Sequence, residues 1–181
     1  MRFESTSLDG VTIVELEPHV DERGAFARTF CEAEFADAGL PVAFPQCNLS
    51  INHLRGTLRG MHYSAGSHGE SKLVRCVRGA VLDVVVDIRP DSPTRLRWVA
   101  VELSADNRRA LFVPEGFAHG FITLADDSDV YYHMGATYRP EAARGFRWDD
   151  PSVGIDWPSP PVVISEADAS YPDLDVAGIE L

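Results

Sequence analysis

The chain has 181 residues, 45% of them apolar and 24% charged, which suits one domain with a real core and excludes a disordered or low-complexity segment. Its 28 acidic against 16 basic residues give a formal charge of −12, so nucleic acid and anionic membrane surfaces are not expected partners, and any anionic ligand must meet local positive charge. The opening MRFESTSLDG lacks the apolar core of a signal peptide and no run of about 18 apolar residues occurs, so a cytoplasmic protein is expected.

In chain order, VTIVEL (11–16) is the first expected strand, and CEAEFADAG (31–39) reads as a short helix closed by Gly39. From Gly56 to Tyr138, runs rich in β-branched and aromatic residues are broken every eight to twelve residues or so by Gly, Pro, Asn or Asp, the signature of a β-sandwich or barrel. These runs are RGTLRGMHY, KLVRCV, AVLDVVVDI, RWVAVEL, RALFVP, AHGFITL and VYYHMG, with tight turns at Arg78-Gly79 and Ala105-Asp106-Asn107. In AVLDVVVDI, Leu82, Val84, Val86 and Ile88 share one face, while Asp83 and Asp87 share the other with Val81 and Val85. The proline-rich stretch 148–161 is expected to be an ordered but irregular connection, and SEADA a single helical turn capped by Ser165. With no repeat and no linker composition, the expectation is one all-β domain over residues 1–181, an antiparallel jelly roll with a few short helices. Cys31, Cys47 and Cys76 show neither zinc-site spacing nor a disulfide framework and are expected to be buried free thiols.

Two segments bring histidine into this strand-rich setting: GTLRGMHY (56–63) and VPEGFAHGF (113–121). They resemble the two cupin motifs, the first spaced Gly, five residues, His, and the second Pro, any residue, Gly, two residues, His. Metal-binding cupins continue the first motif as His-x-His and add a glutamate. Here the residue two after His62 is Ser64, and His62 with His119 falls short of the three or four ligands an open catalytic metal site needs, so neither metal nor other cofactor is expected.

Read with their flanks, DERGAF (21–26), GTLRGMHY, KLVRCVRGAVLDVVVDIRPDSPT (72–94), PEGFAHGF and RWDDPSVGIDWP (147–158) are similar to the dTDP-4-dehydrorhamnose 3,5-epimerase family over nearly the whole chain. The resemblance implies a metal-free cupin epimerase of a nucleoside diphosphate 4-keto-6-deoxyhexose. Its chemistry asks for particular groups. A proton beside a ketone is weakly acidic, so a base is needed on one face of the sugar, a positive or hydrogen-bonding group at the carbonyl oxygen, and a proton donor on the opposite face. Histidine, with an ordinary pKa of ~6.5, suits the base, and tyrosine, at ~10, stays protonated as the donor. By resemblance His62 is that base and Tyr132 that acid, Asp168 pairs with the histidine to fix its tautomer, and Lys72 sits at the developing enolate, where a positive charge in a dry pocket lowers a barrier by about 3 kcal/mol or more. Arg23 and Arg59 match arginines that bind the nucleotide-sugar, Gln46 and Asn48 a nucleotide-contacting pair, and His119 a pocket histidine; Asp83 stands on the polar face of its strand, able to brace a neighbour. A homodimer is implied, with N-terminal strands within 1–50 adding to the partner's sheet. The other readings are a single-carbon epimerase or keto-isomerase of a deoxysugar pathway, and a sugar-binding cupin without turnover.

Taken without the resemblance, several of these residues have plainer explanations. Tyr131 and Tyr132 are adjacent and point to opposite faces, and packing accounts for either; His19, His53 and His68 lie in no motif. Arg59 and His62 are three apart and face opposite ways in a regular strand, which a bulge at Gly60 reconciles. The chain departs from the family pattern at Arg28 and Ala143, often Glu there, at Ala167, often Lys, and at Ser64, commonly Gln. All four bear on which sugar nucleotide is taken rather than on the proton transfer.

Overall fold

The computed structural model describes residues 1–66 and 69–179, so His68 lies outside the described residues. In chain order the N-terminal part contributes β1 (Arg2–Ser5), β2 (Thr12–Glu15), β3 (His19–Asp21), β4 (Gly24–Phe26), α1 (Glu32–Asp37) and β5 (Gln46–Asn52). The middle follows as β6 (Thr57–Ser64), β7 (Lys72–Arg78), β8 (Ala80–Asp87), β9 (Trp98–Ser104), β10 (Ala110–Val113), β11 (Phe117–Thr123) and β12 (Ser128–Met134). The end adds β13 (Ala143–Gly145), β14 (Val163–Ile164) and α2 (Glu166–Ala169). One sheet is ordered β1-β2-β10-β7-β12-β5 and the other β13-β6-β11-β8-β9, while β3 and β4 form a separate ribbon. The two sheets close face to face on a shared core that includes Val74, Leu111 and Val130 from the first and Val81, Val85, Leu103 and Phe121 from the second. This is the all-β antiparallel jelly roll expected, with short helices at 32–37 and 166–169.

Burial on both sides explains the strand with unlike faces. β8 lies between β11 and β9; Val81 and Val85 point into the shared core, and Val84, Val86 and Ile88 point outward into a second cluster. That outer cluster is roofed by Phe146, Val153, Trp157 and Leu174 of the C-terminal part, so the irregular 148–161 connection serves as a lid on the sheet. Each buried valine there contributes about 1.5–3 kcal/mol of transfer free energy. Asp83 and Asp87 have no solvent exposure at all, so the polar face of β8 meets partners and not water. For Asp87, burial pushes the carboxyl upward, but hydrogen bonds from Arg89, Ser92 and Thr94 outweigh it and bring the group down to about 2. The thiols do not share one environment as expected: Cys76 is buried, Cys31 half-buried and Cys47 exposed, because Cys47 lies on the edge strand β5, most of which is exposed.

The free edge of β6 is patched in pieces, and the gap between them matters most for the site. β13 pairs with Ser64, Tyr63 and His62, β14 pairs in parallel with Thr57 and Leu58, and among the described residues no strand covers Arg59 and Gly60 on that edge. Across β6, His119 of β11 faces His62 while Phe121 faces Arg59, so two residues of β11 span three of β6 and one extra residue bulges there. Gly60 carries it with φ +126°, and an added Cβ would lie 2.6 Å from Gly120 Cα and 2.9 Å from the His119 carbonyl oxygen. Only glycine fits. Gly60→Ala is expected to cost about 3 kcal/mol or more, read as a lowered urea midpoint at unchanged m-value.

Candidate active site

The bulge turns Arg59 and His62 to one side, and pairing sets His119 beside His62. On the facing sheet, register places Tyr132 of β12 between Asn48 of β5 and Val74 of β7, and Met134 beside Lys72. The two sheets thereby enclose a cavity of about 180 Å³, walled by Arg59, His62, His119 and Phe121 on one side and Asn48, Lys72, Tyr132 and Met134 on the other. A second hollow of about 320 Å³ shares His62, Lys72 and Met134 and adds Glu70, Tyr138, Arg144 and Tyr171.

Each of the two histidines lining the first cavity is backed by an aspartate. The N–H of Gly60, left without a strand partner, donates to Asp168 Oδ2 at 3.2 Å, and Asp168 Oδ1 lies 2.8 Å from His62 Nε2. Ser165 caps α2 by accepting the Asp168 N–H at 3.0 Å, which fixes the carboxylate at the mouth of the gap. Burial alone would raise the Asp168 carboxyl; the hydrogen bond and charge of His62, with help from Gly60 and Ser165, hold it below the usual aspartate range. An ionised Asp168 accepts from Nε2–H, so the lone pair of His62 is on Nδ1, and the side chain is 42% exposed and reachable. The second pair is His119 Nε2 with Asp83 Oδ1 at 2.9 Å, buried on both sides, while Asp83 Oδ2 has no hydrogen-bond partner among the described residues.

The depressed Asp168 carboxyl has a testable sign. A group ionised more readily in the folded state stabilises above the unfolded value near 3.8 and loses that contribution as pH falls through its folded value. Wild type should therefore be more stable than Asp168→Asn at about pH 5, with the gap closing as the pH of urea titrations is taken below 3.8.

Opposite the histidines, Tyr132 is sunk in the wall. Burial first, then the charge of Asp83, push its phenol well above the ordinary value against a smaller opposing pull from Arg59, so it remains a proton donor at neutral pH. Arg59 is aimed by Asn52, a buried side chain whose Oδ1 accepts from Arg59 Nε at 2.9 Å while its amide donates to the Ser128 carbonyl at 2.9 Å. Among the described residues no three His, Cys, Asp or Glu side chains gather as a metal site. 

A family model described as dTDP-4-dehydrorhamnose 3,5-epimerase matches residues 5–175. The chain belongs to the dTDP-4-dehydrorhamnose 3,5-epimerase family. A family member of that name from Methanothermobacter thermautotrophicus is 48% identical over 176 residues, covering 96% of this chain and 94% of the relative. The crystal structure of the dTDP-4-dehydrorhamnose 3,5-epimerase from Elizabethkingia anophelis superposes with a TM-score of 0.91 at 36% identity, covering 96% of both chains. That of a 4-keto-6-deoxy sugar epimerase from Streptomyces spheroides gives 0.91 at 37% identity, covering 96% of this chain and 87% of that one.

Of the ten candidate residues, nine from the family resemblance and Asp83 from its strand face, six line the cavity: His62, Tyr132, Lys72, Arg59, His119 and Asn48. Asp168 stands directly behind His62 and Asp83 behind His119, so neither carboxylate faces a ligand. Gln46 is also set back, donating to Asn48 Oδ1 at 3.0 Å and accepting from the Tyr138 N–H at 3.1 Å, so its place is to hold those two. Arg23 is not at the cavity: it sits on the β3–β4 ribbon, 85% exposed, with its guanidinium on Asp21, because the ribbon pairs with neither sheet. Of the four family departures, Ser64 and Ala143 line the second hollow, Arg28 is engaged with Glu34 far along the N-terminal part, and Ala167 lies in α2.

Three residues went unread in the sequence. Glu70 lies 3.4 Å from the Lys72 ammonium; its signal was the spacing of two along an extended segment. Tyr171, three residues beyond Asp168, sets its ring edge-on to His62 at 6.0 Å between centroids. Asn52 lies in a strand too polar to be noticed.

Proposed function

We propose that this chain epimerises a dTDP-linked 4-keto-6-deoxyhexose at the carbons flanking the ketone, carbon 3, carbon 5 or both. The observation that carries the reading is the placing of an imidazole on one sheet and a phenol on the other as opposite walls of one cavity, with an ammonium on the phenol's wall. His62 Nδ1 takes the proton beside the ketone, the C–H electron pair becomes the enolate double bond, and charge gathers on the ketone oxygen. Lys72, with His119 close by, meets that oxygen without need of a metal. Tyr132 delivers its proton to the carbon from the opposite face, which restores the ketone with inverted configuration. Arg59 and Asn48 take the diphosphate end, supplying the local positive charge that a chain of net charge −12 requires.

The test is deuterium. In heavy water, with dTDP-4-keto-6-deoxyglucose, proton NMR should show label entering at the ring carbons that are inverted, and the number of labelled carbons separates a double from a single epimerase. Binding without any uptake on such sugars identifies a sugar-binding protein and ends this reading.

Residues 1–181 act as one domain in this reading, in the cytoplasm, and the active form is a homodimer. The support lies in two unsatisfied surfaces: the β3–β4 ribbon exposes Val20 and Phe26 at 75% and 78%, and the edge strand β5 exposes Leu49 and Ile51. A ribbon laid on a neighbour's β5 would bring Arg23 to that neighbour's cavity. Light scattering should give a mass of twice 19.9 kDa.

A further inference from the structure

Lys72 is the only lysine in the chain; every other basic residue of the 16 is arginine. Arginine offers a rigid fork of donors, whereas lysine offers a compact charge on a flexible stem, so this position has use for a movable point charge. A side chain that can move must also be held. Around it, Arg59 and His62 come from β6, His119 from β11 and Tyr132 from β12, with Tyr138, Arg144 and Tyr171 toward the second hollow. None of these is a carboxylate, and the two arginines repel the ammonium.

Glu70 is the single carboxylate lining either hollow among the described residues. Its side chain is 11% exposed, that of Lys72 12%, and Oε1 stands 3.4 Å from Nζ. The backbone on either side of Glu70 is held: Ser71 is buried and its carbonyl accepts the Gly135 N–H at 2.8 Å, while Gly69 lies against the Glu115 side chain, where an added Cβ would come within 2.4 Å of the carboxylate. A negative charge at the wall of a site that receives a diphosphate opposes the ligand unless it serves another group there. The 3.4 Å separation exceeds hydrogen-bond length, so charge attraction holds the ammonium while its N–H donors stay unspent.

We propose that Glu70 is a positioning residue for the epimerisation, holding the Lys72 ammonium at the junction of the two hollows so that its donors are free for the oxygen that becomes negative. The inference rests on the epimerase reading of the same cavity. It can nonetheless be tested apart from it, because an amine-selective acylating reagent applied to the intact protein has two targets, Lys72 and the Met1 amine. The latter is held between Glu17 and Glu34 at 2.7 and 2.6 Å and serves as an internal reference.

In Glu70→Gln the labelling ratio of Lys72 to Met1, read by peptide mass spectrometry, should rise about 10-fold as the amine comes free, and kcat for deuterium uptake should fall about 10-fold with KM within about 3-fold. Glu70→Asp keeps the charge on a shorter arm and should fall between, which also decides the matter if Glu70→Gln does not fold. In a Lys72→Met background, Glu70→Gln should bring no further loss. An unchanged labelling ratio, or the same fold-loss with and without Lys72, overturns the proposal. A wild type that takes up no deuterium overturns the epimerase reading instead, and the labelling ratio still reports whether Glu70 holds Lys72.

Discussion

With His62 replaced by asparagine, deuterium uptake at the sugar carbons is expected to fall by about 10³- to 10⁴-fold while dTDP affinity changes by less than about 3-fold. Asparagine keeps a polar amide near the position of Nδ1, though short of Asp168, and has no basic lone pair, so the loss isolates proton abstraction from binding. The separation is credible because the groups offered to the diphosphate, Arg59 and Asn48, are held by contacts that do not involve the imidazole. Residual uptake above about a tenth of wild type would move the base elsewhere, and His119 is the first place to look, since it too is paired with an aspartate and lines the same wall.

Tyr132→Phe is the second large effect, and its signature differs in kind. Inversion should fall by about 10²- to 10⁴-fold, yet deuterium should still enter with retained configuration, because His62 remains able to take a proton and return a labelled one from its own side. The contrast follows from the two residues standing on different sheets: removing one wall's group leaves the other wall's chemistry half intact. Inversion at near wild-type rate in this variant would mean that the donor is not the phenol. Removing one hydroxyl from a side chain packed against the shared core should change the urea midpoint little, so a loss of inversion with a retained midpoint is the expected pair of observations.

Much of this architecture was legible because β6 to β12 are built from apolar alternation punctuated by Gly, Asn and Asp, and each run expected as a strand in that span became one. What stayed hidden has physical reasons. β5 reads QCNLSIN, polar at alternate positions with exposed apolar ones between, which is how an edge strand looks when one side lacks cover. β13 and β14 are three and two residues long and exist because β6 has an edge to patch, a fact of tertiary pairing and not of local preference. The bulge could be expected at Gly60 because a residue spacing of three conflicted with a strand; that Asp168 would occupy the resulting gap could not, since 108 residues separate the two. Likewise Gln46 resembles a nucleotide contact yet stands a layer behind Asn48, because sequence marks which residues gather at a site but not which of them reach the cavity.

That long separation has a consequence for how the protein comes into being. The histidine of β6 is synthesised 106 residues before the aspartate that sets its tautomer, and the lid over the outer sheet arrives in the same late stretch. A chain that has not yet reached α2 holds His62 without the carboxylate that orients it. Chains that end before α2 would lack both that carboxylate and the Leu174 cover of Val84, Val86 and Ile88, so in the proposed mechanism one late stretch completes the base and the lid together.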